Sequence, residues 1–292
     1  MKEALFYEAL PDNKVHCSLC PRSCHIQPDQ FGVCGVRQNI GGKLYSLIYN
    51  KVSSVAVDPI EKKPLYHFHP GSQVFSIGTI GCNFHCGHCQ NWQIAFAKAG
   101  THDNLLRDLP VAELIKEAKA ANCEGIAWTY NEPTIWFEYA LEGAMAAKAA
   151  GLYTVWVTNG YINLKPLDMI MPYLDAYRVD IKGFTNDFYF KLAKIKDFQP
   201  VLNAAVRAKK KWNKHVEIIT LIIPTMNDDA EQLSAIAKWI VDNLGADTVW
   251  HVTRFFPCLD LANLPMTPLE TLEKAKAIGL AAGLQNVYIG NV

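Results

Sequence analysis

The chain has 292 residues, half of them apolar, and its 28 basic residues balance 28 acidic ones. That length and apolar content bury a substantial core, enough for one large domain with an appendage. Zero net charge, without a basic tail, charge block or low-complexity segment, gives no support to a nucleic-acid or membrane-surface partner. Acidic residues interrupt the apolar start Met1–Leu10, which does not read as a signal peptide. No apolar run approaches the ~18 residues of a membrane span. Nine cysteines, an odd number grouped in metal-like spacings, fit a reducing cytoplasm better than a disulfide framework.

Residues 1–45 are rich in loops and cysteine. Cys17, Cys20, Cys24 and Cys34 follow the spacing C-x2-C-x3-C-x9-C, with Gly32 and Gly35 bracketing the last. Four thiols suffice for a tetrahedral zinc site or a second iron–sulfur cluster. Either would also staple a segment too small to have its own core. Residues 43–57 alternate apolar and polar positions, as in a short β-ribbon, and 58–71 form a Pro-punctuated connection. The expected division is therefore 1–71 and 72–292.

Beyond it, Val74–Thr79 reads as a buried strand. It leads into a Gly-rich loop carrying Cys82, Cys86 and Cys89 in the spacing C-x3-C-x2-C, before a helical stretch Gln90–Ala99. Three thiolates this close ligate three irons of a cubane cluster and leave the fourth iron open to a small molecule. A zinc knot with His85 or His88 as fourth ligand is the structural alternative. Strand candidates then alternate with helix candidates. The strands are Gly125–Thr129, Tyr153–Thr158, Ala176–Ile181, Val216–Ile223, Thr248–Phe255 and Val287–Gly290. The helices are Val111–Ala121, Ile135–Ala150, Asp187–Lys194, Pro200–Lys211, Asp229–Leu244 and Pro268–Ala282. This alternation predicts an α/β fold of parallel strands, a partial TIM-like barrel of six or seven units.

Polar residues gather where these strands end. Asn131 and Glu132 follow the second strand, with Pro133 opening the next helix; Asn131 is also a candidate helix cap. Thr158 and Asn159 close the third strand beside Gly160 and offer polar groups to a ligand. On the fourth, Arg178, Asp180 and Lys182 share one face, as a ligand site or a structural salt bridge. Asn227 or Asp228 is expected to cap a helix. His251 shares a face with Thr253 and Phe255, and Arg254 is expected to face the cysteine loop or an acidic substrate. Cys123 and Cys258 read as ordinary buried thiols.

The cysteine triplet resembles the signature of the radical S-adenosylmethionine (radical SAM) superfamily. That resemblance implies a [4Fe–4S] cluster on Cys82, Cys86 and Cys89, with SAM chelating the open iron. It places His88 near the adenine, where the superfamily usually has an aromatic residue. Glu132 and Asn131 stand where many members have Gly-Gly-Glu-Pro and contact the SAM amino group. Tyr130 and Asn131 replace the two glycines. Thr158, Asn159, Asp180, Lys182 and His251 are the further SAM or substrate contacts it implies, and it brings Ile222 or Ile223 near the adenine. The combination of Cys-x-x-Cys-Pro, Lys-Lys-Pro-Leu-Tyr-His-Phe-His-Pro, Gly-Cys-Asn-Phe, Tyr-Asn-Glu-Pro-Thr, Thr-Asn-Gly, Asp-Ile-Lys-Gly-Phe and His-Val-Thr-Arg-Phe-Phe-Pro narrows it. It resembles the radical SAM protein of the AmmeMemoRadiSam system, related to pyruvate-formate-lyase activating enzymes. The implied activity is reductive cleavage of SAM to a 5′-deoxyadenosyl radical. The implied partners are a reductant such as ferredoxin or flavodoxin and proteins of the Memo and Ammecr1 types. The alternatives are a glycyl-radical activating enzyme and a non-catalytic iron–sulfur or zinc scaffold.

Overall fold

The computed structural model describes all 292 residues. Its centre is an eight-stranded sheet in the order Val287–Gly290, Val249–Arg254, His215–Ile222, Ala176–Asp180, Tyr153–Thr158, Gly125–Trp128, Gln73–Gly78 and Ser54–Pro59. The first seven run parallel, and Ser54–Pro59 lies antiparallel on the Gln73 edge. β-Branched and aromatic residues dominate these strands, and all six residues of Tyr153–Thr158 are buried, as a sheet covered on both faces requires.

Period-2 alternation sorts the strand residues between two environments. Trp128, Trp156, Trp250, Ile126 and Ile218 join the helices in one core of 66 buried residues. Val74, Ala127, Val155, Val157 and Ala176 face the other way, against Ile60, Leu65 and Phe68 of segment 60–70. No helix is long and apolar enough to cross a membrane.

The expected helices start and stop within a few residues of the observed ones, with informative departures. Ile135–Ala150 begins as a 3₁₀ turn, Pro133–Trp136, before the α-helix Phe137–Ala149. Pro200–Lys211 divides into an α-helix, Gln199–Val206, and a π turn, Arg207–Lys211. The stretch Gln90–Ala99 holds only one helical turn, Trp92–Ala95. Its backbone groups are taken by tertiary partners: Gly81 N–H donates to Ile94 O (2.8 Å) and Ala99 N–H to Gly35 O (3.1 Å).

The expected ribbon 43–57 is shared among three sheets. Lys43–Ser46 pairs with Lys2–Glu3 and Arg37–Ile40, Lys51–Val52 with Arg107–Asp108, and Ser54–Pro59 with Gln73–Gly78. The expected boundary near residue 72 thus falls between two paired strands of one sheet. Val15, Leu19, Ile26, Val36 and Leu44 belong to the same core as the central helices. Arg37 and Glu138, both 2% exposed in their side chains, form a buried ion pair across that contact.

Segment 60–70 is fastened by Glu217, whose side chain is fully buried. Its carboxylate accepts from Tyr66 N–H (3.1 Å), His67 N–H (2.9 Å), His215 Nε2 (2.8 Å) and His251 Nε2 (2.6 Å). Burial raises a carboxyl pKa, but the hydrogen bonds from His215 and His251 outweigh it here and hold Glu217 down to about 2. Burial also holds His251 below its ordinary 6.5. Both shifts make stability rise with pH. The unfolded chain takes up a proton on His251 below 6.5, and on Glu217 below 4.5, before the folded one does. The urea midpoint is therefore expected to fall from pH 7 to pH 3. Glu217→Gln is expected to cost about 1–3 kcal/mol at pH 7 and to flatten the acidic part of that slope. A midpoint indifferent to the substitution would remove Glu217 as the anchor.

Candidate functional site

The C-terminal ends of the parallel strands open on a cavity of about 610 Å³. Cys82, Cys86, His88, Cys89, Asn131, Glu132, Thr158, Asn159, Asp180, Lys182 and His251 all line it. Residues as far apart in sequence as Cys82 and His251, 169 positions, meet here because the parallel strand ends bring them together.

The thiols sit on an irregular loop that side-chain amides hold in place. Asn131 Oδ1 accepts from Thr79 N–H (3.1 Å), and Asn131 Nδ2 donates to Gly81 O (2.8 Å). Asn131 is therefore a brace for the loop and not a helix cap. The cap is Glu132, whose Oε1 accepts from Thr134 N–H (2.9 Å). Glu132 also accepts from Thr158 Oγ1 (2.7 Å) and, on Oε2, from Asn159 N–H (2.8 Å). It is 2% exposed, and burial raises its pKa. Asn159 Nδ2 donates to Asn83 Oδ1 (2.8 Å) and lies 3.8 Å from Cys82 Sγ.

Burial pushes the Cys86 thiol up to about 12 and raises Cys82 and Cys89 as well. Without added positive charge these thiols stay protonated. Asp180 accepts from Lys182 Nζ (2.9 Å) and from the Arg178 guanidinium. Burial opposes its ionisation, but Arg178 and Lys182 keep its pKa low. The salt bridge and the cavity position coexist. His88 is buried, and Nδ1 has no hydrogen-bond partner. Burial, then the Lys182 charge, hold it down to about 3, so the ring is neutral. His251 lies against Tyr66 at 4.7 Å, with Nε2 committed to Glu217.

Some expectations are corrected. Arg254 lies outside the cavity lining and donates from Nε to Thr267 O (2.8 Å). Ile222 and Ile223 are buried outside the lining, and Ile219 and Leu221 line the cavity instead. Phe255 is buried away from it, although Thr253 lines it. Of the two proposed caps after His215–Ile222, neither serves: Asp229 accepts from Gln232 N–H (2.8 Å). Cys258 stands beside the triplet, its Sγ 3.5 Å from Cys89 O. Lys63 and Tyr66 of Lys-Lys-Pro-Leu-Tyr and Tyr130 of Tyr-Asn-Glu-Pro also line the cavity, where no sequence-based expectation placed them. Lys63 Nζ reaches Asp58 Oδ2 at 2.6 Å, and Tyr130 Oη donates to the same atom at 3.0 Å. Their shared partner lies some 70 residues before Tyr130, and no local pattern announces such a pairing.

Cys17, Cys20, Cys24 and Cys34 line a second, mainly apolar cavity with Arg37, Ile135 and Asn83. No three His, Cys, Asp or Glu side chains of the protein stand in the arrangement that holds a single metal ion.

The sequence profile of the Radical SAM superfamily matches residues 76–237. The chain belongs to that superfamily. It is 44% identical over 294 residues to an uncharacterized protein of Methanocaldococcus jannaschii, covering all of this chain and 86% of that one. A putative glycyl-radical enzyme activating enzyme of the same organism is 25% identical, over 76% of this chain and 80% of its own. Among solved structures, a radical SAM methyltransferase from Sphaerobacter thermophilus superposes with a TM-score of 0.60 at 15% identity. It covers 76% of this chain and 67% of that one. That likeness is one of fold.

The Asn131 brace predicts a specific loss. Asn131→Ala is expected to lower stability by about 1–3 kcal/mol, because it leaves Thr79 N–H and Gly81 O without their partner. Hydrogen exchange at the Thr79 amide should quicken while the Tyr66 and His67 amides keep their protection. Unchanged exchange at Thr79 would remove Asn131 as the brace.

Proposed function

We propose that this superfamily member holds a [4Fe–4S] cluster on Cys82, Cys86 and Cys89, binds SAM beside it, and cleaves SAM reductively to act on a substrate deeper in the cavity. The observation that carries this reading is that three thiols open onto one cavity whose walls hold carboxylate, amide and hydroxyl groups from successive strand ends. The donor set fits: three thiols leave one iron for the amino and carboxylate groups of SAM. A cluster held by these three thiols would supply the electron for reductive cleavage of the SAM sulfonium.

The chain's own residues then bind and orient. Glu132 Oε2 accepts only one protein hydrogen bond and keeps an acceptor direction for the SAM ammonium. Asn131, Thr158 and Asn159 act by holding Glu132 and the thiol loop, since their side-chain groups are engaged within the protein. The unpartnered Nδ1 of His88 suits the edge of the adenine. Asp180 and Lys182 set opposite charges on the wall near Cys86. Lys63, Tyr66, Arg178 and His251 line the remaining space for substrate.

The finer reading is a partial (β/α) barrel of the AmmeMemoRadiSam type, cytoplasmic, with a ferredoxin- or flavodoxin-like reductant and Memo- and Ammecr1-type partners. It is supported by the convergence of Lys63 and Tyr66, Asn131 and Glu132, Thr158 and Asn159, Asp180 and Lys182, and His251 on this one cavity. The second reading, a glycyl-radical activating enzyme, draws on the activating-enzyme relative. Anaerobically reconstituted protein with dithionite is expected to release 5′-deoxyadenosine, and Cys86→Ala to reduce the release to background. Release that survives Cys86→Ala overturns the assignment. Hydrogen abstraction from a peptide glycine would favour the second reading.

A further inference from the structure

We propose that the cavity formed by Cys17, Cys20, Cys24 and Cys34 is the site of a second iron–sulfur cluster, fully ligated by these four cysteines. Asn83, the residue next to Cys82, lines this cavity too. The four thiols come from three places: the strand Val15–Cys17, the turn into the strand Cys24–Ile26, and the loop before Arg37. All four are free, and they line one cavity whose other walls include Leu19, Ile26, Val33 and Ile135.

Zinc would draw four sulfurs to a point, each about 2.3 Å from the ion. Sulfurs drawn that close leave no free space between them, whereas these four thiols line a cavity of about 20 Å³. That space suits a ligand whose metal atoms are spread over a cluster.

A further observation points to a ligand. Arg37 is 1% exposed, lines the cavity and places Nη1 3.9 Å from Cys17 Sγ, while its Nε has no hydrogen-bond partner. A buried guanidinium donor without an acceptor is costly, and inorganic sulfide or a thiolate would meet it.

The two thiol sets share a wall. Asn83 lines the N-terminal cavity, while its neighbours Cys82 and Phe84 line the other. Gly81, at φ +88°, has no room for a side chain: a Cβ there would lie 2.6 Å from Cys34 O. The inference extends the proposed function but is tested apart from it. The wild-type chain, reconstituted anaerobically with iron and sulfide, is expected to bind about eight irons and no stoichiometric zinc. The triple variant C82A/C86A/C89A should keep about four irons and give a reduced [4Fe–4S] paramagnetic resonance signal with dithionite. The double variant C20A/C34A should lose about half of the wild-type iron while the Cys82 set keeps its share. A triple variant that folds, by circular dichroism, yet binds zinc or no metal overturns the proposal. If the triple variant does not fold, about four irons in the wild type with none lost in C20A/C34A overturns it. Neither result depends on whether SAM is cleaved.

Discussion

Backbone that leaves a sheet without entering another ladder must find other partners for its N–H and C=O groups, or bury them unpaired. The stretch Thr79–Asn91, which carries all three clustered thiols, is such a backbone. Its partners come from three directions. Asn131 takes Thr79 and Gly81, and Arg22 Nε donates to Asn83 O (2.8 Å). His85 N–H and Gly87 N–H reach Ala193 O and Leu192 O at the end of the helix Asn186–Ala193. The thiol geometry is therefore set from outside the loop, and the sheet, the N-terminal segment and that helix must be in place before it exists.

This gives the first 50 residues a role in the site. Arg22 spans the gap between Asn83 O and the carbonyls of Ala193 and Lys194, so one guanidinium joins the N-terminal turn, the thiol loop and a helix terminus. The same segment is held from behind by Arg37 on Glu138, a buried pair whose separation costs about 3–5 kcal/mol. Glu138 also accepts Leu5 N–H at 2.7 Å. A segment with this many buried polar ties to the central helices is part of their core.

What could be read in the sequence divides along a physical line. Strands such as Tyr153–Thr158 were legible because apolar β-branched and aromatic residues mark burial on both faces. Polar residues such as Glu132 and Asp180 were legible as interruptions of that pattern at strand ends. Features decided by a distant partner were not. Glu217 interrupts an apolar strand as Asp180 does, yet its role depends on amides about 150 positions away. The Gln90–Ala99 stretch has helical composition, but Gly81 and Gly35 take the groups a longer helix would use. Which of Leu221 and Ile222 faces the cavity depends on a one-residue phase, and an apolar run on both faces carries no phase.

The charge pattern adds a last constraint. Four carboxylates are buried: Asp58, Glu132, Glu138 and Glu217. Asp58 has Lys62 and Lys63, Glu138 has Arg37, and Glu217 has two imidazoles. Glu132 has only amide and hydroxyl donors, none of them charged. A buried carboxylate without a cation is expensive to ionise, and its raised pKa expresses that cost. Three hydrogen bonds hold it in one orientation all the same, and it faces the cavity at the strand ends. Pre-oriented and short of a positive partner, Glu132 favours a ligand that brings its own ammonium. In the function proposed above, the amino group of SAM is the group that would meet that requirement.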